Sequence, residues 1–178
     1  MKKMRFLPML FMACLMLVAC NKDTTKEWEK YYDYPLDDIK GTYSFSYVSD
    51  AFEALTETEF CHICEDAQVT IKSYMNSETS IEFKINCAKA TFNKTFTGRP
   101  VSNEDNFLVK LYNPSTSEYP DYELTAYVYK NDKGDIRLHG FARHIKYHVY
   151  VQEGITYHEV KSMTNYYFDV IKNKELQP

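Results

Sequence analysis

From residue 40 onward the chain alternates apolar and polar residues with a period of two. Ile81, Phe83, Ile85 and Cys87 fall on one side of a run whose other side carries Glu82, Lys84 and Asn86. Successive side chains of a strand point to opposite faces, so this spacing specifies a pleated segment with one dry face. Tyr43, Phe45 and Tyr47 repeat the pattern, as do Val69 with Ile71, Phe92 with Phe96, Phe107 to Leu111, Leu124 to Val128, and Ile136 onward. Turn formers separate the runs: Met75-Asn76-Ser77-Glu78, Gly98-Arg99-Pro100, Asn113-Pro114-Ser115, Asn131-Asp132-Lys133-Gly134 and Gln152-Glu153-Gly154. The chain has 16 Tyr and 11 Phe against 5 Gly, a composition that suits sheet.

Eight or nine strands with short connections pair in sequence as an antiparallel meander. Each has one apolar face, so the sheet is expected to close on itself as a barrel; a two-sheet β-sandwich is the alternative. The alternation from Ile136 to Val151 is too long for one straight strand and predicts a bulge or kink near Phe141 to His144. Gly140 and Ala142 inside it predict a bend or a close approach by a neighbour. After the turn, Ile155 to Val160 and Met163 to Lys172 close the chain. The one helix candidate is Asp50 to about Leu55, with Asp50 as cap and Glu53 three residues on, and an extended loop is the equal alternative for so short a run.

The amino-terminal segment has a different character. Lys2, Lys3 and Arg5 precede an apolar run from Phe6 to Val18, 13 residues long. That is too short to span a bilayer but suits a secretory signal. It ends in Leu17-Val18-Ala19-Cys20, which resembles the lipobox of bacterial lipoproteins. The resemblance implies diacylglycerol on the Cys20 thiol, cleavage before it, and acylation of the new amino terminus. Several acyl chains, palmitate among them, hold a protein durably, since a buried methylene contributes about 0.8 kcal/mol. Asn21 after the cysteine, by the same resemblance, favours the outer membrane. The chain is thus divided into a signal peptide (1–19), a lipidated polar tether (20–38) and a single β domain (39–178). Without Lys2, Lys3 and Arg5, 18 basic residues face 25 acidic ones, a balance of −7. That charge argues against nucleic acid as a partner.

Gly41-Thr42-Tyr43 opening the first strand, followed by the meander, resembles the calycins, and in particular lipocalin-like bacterial lipoproteins. Lipocalins carry Gly-x-Trp at this place. The resemblance implies a barrel able to hold a small apolar or amphipathic ligand. Tyr43, Phe45, Tyr147, Tyr150, Tyr157 and Arg143 are the candidate ligand-binding residues, since aromatic rings supply contact area and their hydroxyls supply orientation.

Cys61-His62-Ile63-Cys64, with Cys87, would suit a metal or a dithiol. In an oxidising envelope the structural use of cysteine is commoner, which predicts a disulfide from Cys61 or Cys64 to Cys87. His139, His144, His148 and His158 cluster late, but on a strand His144 and His148 stand about 13 Å apart, beyond one metal ion. No Gly-x-Ser-x-Gly, His-Glu-x-x-His or phosphate-binding glycine loop occurs. The expectation is therefore a non-enzymatic envelope lipoprotein, without cofactor, that binds a small lipophilic ligand or serves an accessory role. A surface module for protein or glycan is the alternative, and a cysteine-based metal or redox protein the third.

Overall fold

The computed structural model describes residues 28–45, 58–100 and 108–174. Ten strands form one sheet: β1 (Glu29–Lys30), β2 (Gly41–Phe45), β3 (Cys61–Ile63), β4 (Gln68–Ser73), β5 (Ile81–Cys87), β6 (Phe92–Gly98), β7 (Leu108–Asn113), β8 (Tyr122–Lys130), β9 (Ile136–Gln152) and β10 (Ile155–Lys172). A single helical turn, α1 (Leu36–Ile39), precedes β2. The expected helix at Asp50 to Leu55 lies outside the described residues, as do Cys20 and the signal segment.

Two antiparallel meanders make the sheet. One runs β2, β4, β5, β6 and the other β7, β8, β9, β10, and the β10–β2 ladder joins them. The all-β, antiparallel expectation therefore holds, but the closed barrel does not. Among the described residues no ladder links β6 to β7. Part of the reason is local: the side-chain amide of Asn113, at the end of β7, donates to the carbonyl of Thr95 on β6 at 2.6 Å, so a side chain occupies an acceptor that a closing strand would use. The short β3, which the alternation did not reveal, pairs parallel with β10.

The core lies between the curled halves of this sheet. It takes Val69 and Ile71, then Ile81, Phe83, Ile85 and Cys87, then Phe96, Val109, Leu111, Leu124, Leu138, Phe168 and Val170, all at most 2% exposed. The expected disulfide joins Cys64 to Cys87 and fastens the loop before β4 to the end of β5. Cys61 stays outside it.

The fold begins earlier than residue 39. Glu29 and Lys30 pair with Lys130 and Tyr129 at the carboxyl end of β8. The turn α1 then covers that end of the core: Ile39 is fully buried, the Tyr43 hydroxyl donates to its carbonyl at 2.6 Å, and Lys172 Nζ donates to the Asp38 carbonyl at 2.9 Å.

β9 and β10 are the longest strands, 17 and 18 residues. β9 pairs with β8 without a register shift, and with β10 without one from Phe141 to His144, so the irregularity expected there is absent. It sits across the ladder instead, on β10 between Val160 and Ser162. β9 stays regular at Gly140 because β8 comes very close: a Cβ there would fall 2.0 Å from the Thr125 carbonyl oxygen. The missing side chain is used for close approach rather than for a bend.

Candidate functional site

β9 and β10 outrun their neighbours. The β8 ladder stops at Tyr122↔His144, and the β3 ladder begins at Cys61↔Asn165. Between those points, among the described residues, the two strands pair only with each other, from Ile145 opposite Met163 to Gln152 opposite Ile155. They form an arm of eight residues on the β9 side, about 26 Å at ~3.3 Å per residue. Its hairpin closes through Glu153 and Gly154, both with positive φ (52° and 79°), a two-residue turn whose twist matches the strands.

Apolar exposure concentrates here. Val151 is 67% exposed, Ile155 57%, Val160 54% and Val149 53%, and Met163 and Tyr157 are also open. Scattered surface valines are ordinary, but Val149, Val151 and Val160 share one face of the ribbon and form a patch, with Ile155 and Tyr157 on the opposite face. Tyr150 and Tyr157 stack at 5.2 Å between centroids, and the Tyr150 hydroxyl donates to Glu159 Oε1 at 2.8 Å. That hydrogen bond holds the Tyr150 hydroxyl protonated beyond its usual range. On the other face, Tyr119 from the β7–β8 loop stacks on His158 at 4.1 Å and meets Tyr147 edge-on. The Tyr147 hydroxyl donates to the Pro120 carbonyl at 3.3 Å, and burial is the main cause of its raised pKa.

An aromatic clamp holds the base of the arm. Tyr122 stacks on His144 at 4.6 Å under the ammonium of Lys94, 4.2 Å from the Tyr122 ring. Phe92 stacks on Tyr166 at 4.1 Å, and His62 covers Tyr166 at 5.2 Å. Burial, then the charges of Lys146 and Lys94, push the His144 pKa below its usual value. Burial likewise raises that of Tyr166. Arg143 Nε donates to Asn165 Oδ1 at 2.9 Å across the last rung, with Glu123 at 3.5 Å from its Nη1.

The structure thus brings Tyr150 and Tyr157 together on one face of the arm and sets Tyr147 on the other, with Arg143 at the arm's root. It does not bring Tyr43 or Phe45 to them. Tyr43 is a core residue, 1% exposed, with its pKa raised by burial and then by Asp38; Phe45 is half-buried on β2, opposite Val170. Of the cysteine candidates, Cys64 and Cys87 are joined to each other. Among the described residues no three His, Cys, Asp or Glu side chains gather in a way that could hold a metal ion. Sequence reasoning passed over the buried carboxylate of Asp169, which accepts from Nε and Nη2 of Arg137 and lies 3.1 Å from His139 Nδ1. Its signal was present: one acid inside Tyr166-Tyr167-Phe168-Asp169-Val170-Ile171.

Comparison with family models, curated proteins and solved structures found no match. No helix among the described residues is long and apolar enough to cross a membrane.

Proposed function

We propose that this is a lipid-anchored envelope protein without catalytic chemistry, which works as a docking module and presents the β9–β10 arm to a protein partner. The observation that carries this reading is the ribbon itself, apolar on exposed faces and, among the described residues, lacking strand neighbours along both sides. Aliphatic side chains with open backbone edges suit an extended polypeptide, which uses both. A sugar ring would use stacked aromatics, but Val149, Val151, Ile155 and Val160 offer it little.

The meander order supports the calycin-like reading of the fold, short of the closing ladder. A ligand inside the sheet has weaker support, because Tyr43, Phe83, Phe96 and Phe168 already fill that space. The orientation of the anchor favours the arm. β1 joins β8 at Lys130, whereas the arm leaves from the Tyr122 end, eight steps or about 26 Å away. A tether ending in a lipidated Cys20 would leave the arm at the far end of the molecule from its point of attachment.

Site-specific photo-crosslinking in the intact envelope tests this. A photoreactive residue at Val151 is expected to give protein adducts, and one at Lys174, near the anchored end, is expected to give none. Equal labelling at the two positions, or adducts with lipid alone at Val151, would overturn the docking role.

A further inference from the structure

We infer that the partner of the arm is a second copy of this chain, joined edge to edge through Lys146–Gln152 of β9 as an antiparallel pair centred on Val149; the inference rests on the docking role above. The two edges of the arm differ. The β10 edge carries Glu159 and Lys161 and is broken by the register shift between Val160 and Ser162. Bulges and charges are the devices by which sheets protect an edge. The β9 edge has neither a bulge nor a proline or glycine, and its single charge is Lys146. Tyr147-His148-Val149-Tyr150-Val151-Gln152 is strongly sheet-forming and nearly uncharged, a segment that pairs with another strand when left open.

The run, without a strand neighbour on its outer edge among the described residues, is also suited to itself. Ile145 N is taken by the Asp121 carbonyl at 2.8 Å, so the open stretch starts at Lys146 and ends at Gln152, and Val149 is its midpoint. A two-fold axis through Val149, normal to the ribbon, keeps matching faces together and makes the contact isologous. Val149 then meets the partner's Val149, Tyr147 meets the partner's Val151, and His148 meets the partner's Tyr150. Lys146 comes opposite the partner's Gln152, one residue from the partner's Glu153. No like charges face each other, a condition that directly opposed side chains must meet. The chain is acidic as a whole, at −4, so a neutral-to-basic run is where a second acidic copy can approach at least cost. The result is a four-stranded ribbon, β10-β9-β9-β10, in which Val149 packs beside its symmetry mate and each Val151 beside the partner's Tyr147. Antiparallel arms place the two β1 strands at opposite ends, so on one membrane such a dimer lies along the surface.

Thiol cross-linking of the full chain in its membrane provides the test. In a Cys61→Ser background, Val149→Cys is expected to give a covalent dimer with a short thiol-to-thiol linker, several-fold more than Val151→Cys, which the register sets against the partner's Tyr147. Val149→Glu, placing like charges across the axis, is expected to raise the dimer dissociation constant at least tenfold in sedimentation of the detergent-solubilised protein. No dimer for Val149→Cys, or equal yields at the two positions, would overturn the inference whatever the folding of Val149→Glu. A monomer that still gives protein adducts from Val151 overturns only the second-copy partner and leaves the docking role standing. A monomer without such adducts removes both.

Discussion

The disulfide gives the most direct quantitative check on the fold. Cys64 and Cys87 are both fully buried, and their bond closes a loop with a sequence separation of 23. In the chain-entropy treatment such a cross-link removes about 11 cal/mol/K from the unfolded ensemble, or about 3.4 kcal/mol at 25 °C. Replacing both by Ala also thins the packing where β5 meets the loop before β4, which adds to the loss. A domain of this size loses about 3 °C of Tm per kcal/mol, so the double variant should melt about 10 °C lower in far-UV circular dichroism. Cys61→Ala, outside the bond and half-buried on β3, should lower stability by about 1 kcal/mol, well below the loss in the double variant. The readout is a pair of denaturant curves, oxidised and reduced, for each variant. If reduction leaves the native protein unchanged, or if Cys61→Ala carries the loss in place of Cys64→Ala, the assignment of the bond and of the loop it closes is wrong.

Gly140→Ala drives a methyl group to 2.0 Å from the Thr125 carbonyl oxygen and 2.7 Å from Ala126 Cα. Because both obstacles are backbone, β8 must shift; urea denaturation should show a loss of about 3 kcal/mol, and a neutral result would refute the close approach. Asp169→Asn leaves the guanidinium of Arg137, nearly covered by the fold, without its carboxylate, and should cost about 3–5 kcal/mol, with Arg137→Met in the same chain recovering part of it in a double-mutant cycle. The fold holds His144 below its usual pKa, so the unfolded chain takes up a proton that the folded one refuses. That contribution is complete above the ordinary histidine pKa of about 6.5 and is lost as pH falls through the lower folded value, so stability declines on acidification. His144→Gln should lose less Tm between pH 7.5 and pH 5 than the native chain does; equal losses would remove His144 as a cause.

The period-two pattern disclosed the strands because it records which side of each is dry. Ile81–Cys87 alternates buried and less buried residues along its whole length, as the sequence requires. The break between Val160 and Met163 likewise marks the register shift on β10. Closure was not legible, since the periodicity of β6 and β7 says nothing about whether the Thr95 carbonyl receives a backbone N–H or the amide of Asn113. β3 was missed because three residues are too short to show a period, and β1 because Glu29 and Lys30 are polar on both faces. The candidate site was half visible. Tyr147, Tyr150 and Tyr157 stood out as aromatics near a turn, but their exposure depends on β8 and β3 stopping short, a property of other strands that alternation in β9 cannot report. Tyr43 misled for the converse reason: an aromatic on an alternating face is far more often core than lining.

A two-stranded ribbon alone in water is marginal, and the length of β9 and β10 is what makes this one tenable. Both strands enter the arm already fixed in register by the body, where β9 holds Ala126 against Gly140 and β10 holds Phe45 against Val170. The clamp of Tyr122 on His144 and Phe92 on Tyr166 then stiffens the point where support ends. Beyond it, order rests on the Tyr119 ring over His158 and Tyr147, the Tyr150–Tyr157 stack and a tight turn, with valines in water at the tip. Stability therefore grades downward along the arm, and a fold that gains nothing from those valines internally carries them at the end most remote from β1. An added strand would supply the missing backbone partners and set its own side chains beside those of Val149 and Val151. The same two features that make the tip the weakest part of the isolated molecule make it the part with most to gain from contact.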